Sequence, residues 1–431
     1  MSELAVPIIA GVIATNIMGM VDALMVGHLG NAPLAAVALG GQWFILLFAP
    51  LLGLAGGVQA LVARAVGESD AKTTGRVLNL GIVLALVLAA TLLVCGYASS
   101  FFVMSHISQN PETTAHSIDY LWTRLPSLLF IGVNVVFRAY WVGVSLAKWS
   151  MVSIVSLSLA NILFNYALIF GHFGAPALGV TGAGLGSTLA VIVGLLVNFG
   201  FALKFARSSG FLRQSPDLQT TRHLLNIAYP ESIRQLLFCT GVVALYAVIA
   251  QLGTAELAAF YVVIVICQLA YLPHLGIGGA ATTLVGESVG RQDLVDAKRW
   301  GRQTANISLV TLTLVALPVA IYAPEILGLF LSDNKTVLLA TLPLQLALLA
   351  HVLDGYSKTI CCAFIGAGAT RIALALTMIP QWLILLPASG IVVYLGWGLN
   401  AAMWVFLASM TLSAAFCGYW WARTNLQNVV V

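Results

Sequence analysis

The stretch Leu29-Gly30-Asn31-Ala32-Pro33-Leu34-Ala35-Ala36 returns 223 residues later as Leu252-Gly253-Thr254-Ala255-Glu256-Leu257-Ala258-Ala259. The same offset puts Pro7 on Pro230, and Pro50, Leu52, Gly53 and Gly56 on Pro273, Leu275, Gly276 and Gly279. It carries Val66-Gly67 and Asp70 onto Val289-Gly290 and Asp293. After a short slip in the following loop it places Gly143 on Gly366 and Lys148 on Arg371. Correspondence over such a length marks two copies of one structural unit.

Working outward, 60% of the 431 residues are hydrophobic and only 8% are charged. A soluble domain runs nearer 45–50% apolar and about 25% charged, so this chain cannot cover a water-facing surface. Apolar runs near the roughly 20 residues of a spanning helix tile it almost end to end. Twelve transmembrane helices are predicted. Six run near 5–28, 34–63, 77–100, 118–145, 149–171 and 178–204; six more run near 223–250, 256–285, 303–323, 337–366, 371–394 and 398–422. The fold class is therefore all-α integral membrane, with an N-lobe over 1–204, a polar cytoplasmic linker over 205–222 and a C-lobe over 223–431. Six is even, so both six-helix bundles enter the membrane in the same direction, related by a pseudo-two-fold axis along the membrane normal. That is a transporter architecture.

Basic residues orient the chain. Arg64, Lys72 and Arg76 follow helix 2, Lys148 follows helix 4, and Lys204, Arg207, Arg213 and Arg222 follow helix 6. Arg291, Lys298, Arg299 and Arg302 follow helix 8, Arg371 follows helix 10 and Arg423 follows helix 12. The opposite loops hold Lys335 and Arg124 among acids and histidines: His106, Glu112, His116, Glu256, Glu325 and Asp333. By the positive-inside rule both termini are expected in the cytoplasm, with the protein in the inner membrane. Met1-Ser2-Glu3-Leu4 lacks the basic run of a cleaved leader, so the first apolar run is expected to be a retained helix.

Several function classes drop out. No polar stretch is long enough for a nucleotide-binding domain, which excludes an ATP-driven pump within this chain. The net charge of +4 carries no nucleic-acid signal here. The six cysteines lie inside apolar runs, which gives neither a disulfide framework nor a metal knuckle. HExxH, GxSxG and GxxxxGK[ST] are all absent, and no enzyme, cofactor or metal site is read. The tryptophans read mostly as belt anchors, with Trp43, Trp141 and Trp404 as candidates to line a cavity.

An ionised carboxylate in hydrocarbon costs several kcal/mol, so acids inside spans need a reason. Asp22 lies about eighteen residues into helix 1 with no Lys or Arg within a helical turn, and its repeat mate is Leu245. One reading is a carboxylate hydrogen-bonded to a neighbouring helix. The other is a group that alternately binds and releases a cation; burial disfavours its ionised form, which suits proton exchange. Glu231 follows Pro230 at the start of helix 7 with Arg234 three residues on, a dipole-favoured pair. Asp354 has Lys358 at i+4, either a structural pair or, with Arg138, part of a substrate cavity or second polar site. Asn161 and Asn165 are carboxamides one turn apart on helix 5, equally suited to helix glue or to a site. The run Gly182-Ala183-Gly184-Leu185-Gly186-Ser187-Thr188 reads first as close packing. Pro7, Gly11 and Gly19 make helix 1 easier to bend than helix 7, where Gly11 falls on Arg234 and Gly19 on Val242.

From Pro7 through Asp22-Ala23-Leu24-Met25-Val26-Gly27-His28-Leu29-Gly30, the chain resembles the multidrug and toxic compound extrusion (MATE) family, nearest its DinF-like branch. The Val66-Gly67-Glu68-Ser69 loop, Asn161 to Asn165, the Gly182 run and both lobes extend the likeness over essentially the whole chain. The resemblance implies secondary active efflux of amphipathic, often cationic organic compounds, driven by inward proton or sodium flow. It implies that Asp22 is the coupling acid and Asn161 a member of its polar cluster. Asn165 stands where many relatives carry aspartate, and Ser187 where they often carry threonine. Missing the second carboxylate points to protons, since sodium favours several hard oxygens carrying negative charge. Expected partners are small drug-like molecules, the coupling proton or sodium, and membrane lipid, with a monomeric chain. The rival readings are sodium-coupled efflux and a lipid-linked precursor flippase. Few intramembrane basic residues (Arg138, Arg234, Lys358) argue against a pyrophosphate headgroup. An intramembrane enzyme lacks its constellation, and a channel could not run uphill.

Overall fold

The computed structural model describes residues 1–108, 110–330 and 334–428. Among the described residues the regular structure is all helical. In chain order the helices are α1 (Ser2–Gly27), α2 (Asn31–Gly67), α3 (Ala71–Ile107), α4 (Pro111–Arg124), α5 (Ser127–Gly143), α6 (Ala147–Phe170) and α7 (Val180–Phe201). There follow α8 (Leu218–Ile249), α9 (Thr254–Gly290), α10 (Leu294–Ile321), α11 (Ala323–Leu327), α12 (Asn334–Gly366), α13 (Thr370–Met378), α14 (Leu386–Tyr394) and α15 (Gly398–Arg423). Eleven helical stretches are long and apolar enough to cross a membrane, and α4 with α5 makes a twelfth, broken span. Asp333, placed by sequence among the acids opposite the basic loops, lies outside the described residues.

Two compact units emerge. One comprises residues 6–232; the other comprises 233–431 with residues 1–5. The division falls inside α8, later than the linker expected at 205–222. The reason is visible in the packing. Phe211 is fully buried, edge-on to Phe137 and Phe199 at 5.7 Å each. Asn79 on α3 donates to the carbonyls of Gly210 (3.1 Å) and Gln214 (2.8 Å) and accepts from the Leu212 amide (3.0 Å). Arg76 pairs with Asp217 at 2.6 Å. The polar segment is docked on α3 rather than a free tether, and a cavity of about 310 Å³ lies beside it, bordered by Arg64, Glu68, Arg76, Asp217 and His223. Hydrogen bonds from the Thr220 amide and hydroxyl hold the Asp217 carboxyl below its usual range.

Helix 4 of the sequence reading is not one rod. It breaks into α4 and α5, inclined by 53°. Pro126 has no N–H, so the Trp122 carbonyl four residues back loses its helical partner. The Tyr97 hydroxyl donates to that oxygen instead, at 2.9 Å. Pro230 likewise sits inside a helix, and α8 begins at Leu218. Glu231 is therefore well inside α8, not in a first turn, and the dipole explanation for it does not hold. It is buried against α2, where a Cβ on Gly56 would approach its Cγ to 3.3 Å. Beside it Ser232 Oγ donates to the Pro50 carbonyl at 2.8 Å.

A polar core that sequence reading did not find joins α5, α6 and α7. Asn198 Nδ2 donates to Asn134 Oδ1 (2.8 Å) and Ser153 Oγ (2.6 Å), and its Oδ1 accepts from Trp141 Nε1 (3.0 Å). Trp141 is thus a buried core residue, not a cavity wall. By contrast α1 is sparsely covered: 17% of its most apolar stretch is buried, as in α8.

Candidate functional site

The N-terminal unit gathers one carboxylate and its donors from three helices. Asp22 on α1 is half-buried, while Asn161 and Asn165 on α6 are each 1% exposed. Asn165 Nδ2 donates to Asp22 Oδ1 at 2.7 Å. The Asn161 amide satisfies its surroundings when Nδ2 donates to Asp22 Oδ1 (2.7 Å) and Oδ2 (3.1 Å) while its oxygen accepts from Ser187 Oγ (3.1 Å). Three N–H donations thus converge on one carboxylate, and Ser187 on α7 orients the amide that makes two of them. The i,i+4 spacing puts both asparagines on the α6 face that meets α1.

The small-residue run explains how α7 comes close enough. A Cβ on Gly182 would collide with the Leu168 carbonyl, and one on Gly186 with Asn165 Oδ1. Packing is the right reading of these glycines, and the same packing delivers Ser187 to Asn161. Asn165 Oδ1 is buried with no hydrogen-bond partner among the described residues.

Helix α4 packs on the same part of α7: Thr188 Oγ1, next to Ser187, donates to the Thr123 carbonyl at 2.8 Å, and neighbouring Tyr120 is 8% exposed. The sequence reading named Arg124 with the opposite loops although its helix 4, at 118–145, encloses the residue. The Pro126 break instead keeps Arg124 within the span, at the end of α4, with its guanidinium 4.8 Å from the centre of the Phe44 ring. Hydropathy does not signal the break. A proline two residues after an arginine in an apolar run was the available cue.

Along α1, the bend candidates Pro7, Gly11 and Gly19 lie in one continuous helix, with Pro7 inside it. Gly11 also has a packing role, because a Cβ there would come within 2.7 Å of Ile154 Cδ1. Gly19 faces open space.

The C-terminal unit holds the second polar group, arranged differently from the expected pair. Asp354 Oδ2 accepts from the Tyr271 hydroxyl at 3.0 Å. Lys358 lies 4.1 Å over the Phe238 ring rather than closing the i,i+4 bridge. Buried His274, which composition alone did not single out, contacts Thr359 Oγ1 at 3.2 Å and packs its ring 4.6 Å from Tyr271. Arg138 is half-buried on α5 in the N-terminal unit.

Comparison with known proteins agrees with the repeat. The MatE family model matches residues 7–167 and again 230–391, segments that begin the same 223 residues apart. A curated relative named probable multidrug resistance protein NorM, from Synechococcus sp., is 30% identical, aligned over 96% of this chain and 91% of its own. A solved structure described as an outward-facing conformation of a multidrug resistance MATE family transporter superimposes with a TM-score of 0.91 at 22% identity, covering 99% of this chain and 95% of that one. Another, described as MATE in the bent conformation, gives 0.89 at 22% identity, covering 99% and 94%. Matched in both halves and over most of its length, the chain belongs to the MatE family of multi-pass multidrug-efflux transporters and is not an enzyme.

Proposed function

We propose that the chain exports amphipathic, often cationic drug-like compounds across the inner membrane in exchange for protons, by alternating access, with both termini in the cytoplasm. Asp22 is the coupling group, and Asn161, Asn165 and Ser187 hold its ionised form. The observation that carries this reading is the single carboxylate bonded by two carboxamides. A proton needs one titrating oxygen pair and donors that stabilise the charged state. Sodium favours several hard oxygens with negative charge, and Asn165 presents a neutral amide where a second acid would supply it. Protonation must bias two arrangements of the N-lobe, because a ligand shifts an equilibrium only by its differential affinity. Helix α1 is the moving part in this reading: it contains Pro7 and the open Gly19, and it is sparsely buried. A protein of the same fold described in a bent conformation supports it. Asp354, Lys358 and Arg138 are assigned to substrate contact or a second polar site.

The test is Asp22→Asn in proteoliposomes. Uphill transport driven by a pH gradient should vanish while the purified variant keeps its thermal unfolding midpoint. Full uphill transport by the variant would remove Asp22 from the coupling role.

A further inference from the structure

We infer that the start of α6 and the end of α7 together form a binding site for an anionic phospholipid, whose headgroup phosphate is held by Lys148 and Lys204 on a stacked aromatic platform.

Three observations lead to it. First, the platform is already assembled. Helix α7 does not stop at Phe201, because a π-helical turn, Ala202–Ala206, carries it on. Phe201 and Phe205 both reach Trp149, with ring centres 4.5 and 4.8 Å away, and the Trp149 and Phe205 planes lie within 21° of each other. Second, the same two rings carry cations. Lys148 Nζ lies 5.2 Å from the centre of the Trp149 ring, and Lys204 Nζ lies 5.3 Å from that of Phe205. Both lysines are exposed, and among the described residues neither has an ion pair. Two like charges gathered on one ring stack repel, and an anion between them relieves the repulsion. No acid nearby in sequence supplies one: residues 202–216 hold Lys204, Arg207 and Arg213 and neither Asp nor Glu. Third, the surroundings are apolar. Leu146 and Leu203, each a sequence neighbour of this group, are 37% and 40% exposed. Exposed leucines beside unpaired cations match a molecule that is anionic at one end and hydrocarbon at the other, which a free anion is not.

The patch is preformed, since Phe211 and Asn79 hold the segment after α7 in place, and little ordering is left for the ligand to impose. The internal repeat separates it from ordinary basic flanks. Lys148 falls on Arg371, which keeps the charge, but Trp149 falls on Ile372. Both copies place a cation here, and only the N-terminal copy puts a tryptophan beside it. Belt aromatics anchor a protein whatever the headgroup charge; this site discriminates by it.

The experiment is native mass spectrometry of the purified full chain in detergent, titrated with equal amounts of phosphatidylglycerol and phosphatidylcholine. Wild type should retain phosphatidylglycerol in preference. A basic residue near an anionic surface contributes about fivefold in affinity, so Lys148→Gln with Lys204→Gln should weaken phosphatidylglycerol binding about twentyfold. The paired Lys→Arg changes should preserve it, and Trp149→Leu should weaken it with both lysines in place. Arg371→Gln, the same loss of charge at the repeat mate, should leave it unchanged. Thermal unfolding without lipid checks that each variant folds, and the exposed lysines keep the test open if Trp149→Leu does not. Equal retention of the two lipids, or equal weakening by Arg371→Gln, overturns the inference. Displacement of phosphatidylglycerol by inorganic phosphate alone would also overturn it, as the mark of a site for a free anion.

Discussion

Inside hydrocarbon a carboxylate stays ionised only where fixed donors replace water, and Asp22 receives such donors from Asn161 and Asn165. A hydrogen bond to a charged group contributes about 1.5–3 kcal/mol. Replacing Asn165 by Leu removes one donor from the charged form, so the proton should be held more tightly and the transport profile should shift to higher pH. Ser187→Ala acts one bond further away, through the Asn161 amide, and should shift it less; a transport assay across pH with both variants checks the order. An unchanged midpoint in Asn165→Leu would show that the carboxamide does not act on the titrating acid. At this scale the sequence was informative about types and less so about partners. Asp22 and the asparagines stand out because polar groups in apolar helices are costly. Arg124 and His274 do not, because which residues meet across helices depends on breaks and packing that hydropathy does not encode.

Among the elements, the segment after α7 departs most from its composition. It is polar enough to pass for a flexible connector, yet Phe211 anchors it in the N-terminal unit and Asn79 pins its backbone in three places. Phe211→Ala should destabilise that unit by about 3–5 kcal/mol, read as a lower thermal unfolding midpoint in detergent; an unchanged midpoint would mean the segment is not docked in solution. The Asp217 contact adds a pH arm. Its carboxyl is held below the usual range, so its contribution is present above the ordinary value of about 3.9 and is lost as the pH falls through the lower, folded one. Helix α1 is the other telling element. Structures at acidic and neutral pH should differ mainly in α1 around Asp22, with α8, which lacks the equivalents of Gly11 and Gly19, nearly unchanged. Superimposable α1 helices in the two would favour rigid rocking of the lobes. Sequence located the eleven continuous spans from their apolar runs but clipped two of them: α3, expected at 77–100, runs Ala71–Ile107, and α10, expected from 303, begins at Leu294. The break at Pro126 and the long entry of α8 before Pro230 were hidden because proline marks a weak point without saying whether the chain bends there.

For the whole molecule, one duplicated unit accounts for both the twelve spans and the family match, whose two segments keep the register of the internal repeat. The duplication also shows what is not scaffold. Where the C-terminal copy packs Leu245, Cys267 and Ala347 into an apolar core, the N-terminal copy carries Asp22, Phe44 and Arg124. On the proposed reading, coupling to an ion therefore belongs to one copy. The most direct test is ethidium efflux from proteoliposomes holding the wild-type protein or Asp22→Asn, with a pH gradient and a sodium gradient imposed separately. The account predicts uphill efflux by wild type under the pH gradient alone, in sodium-free buffer, and none by Asp22→Asn. Uphill efflux driven only by sodium, or by the pH gradient in both proteins alike, would contradict it.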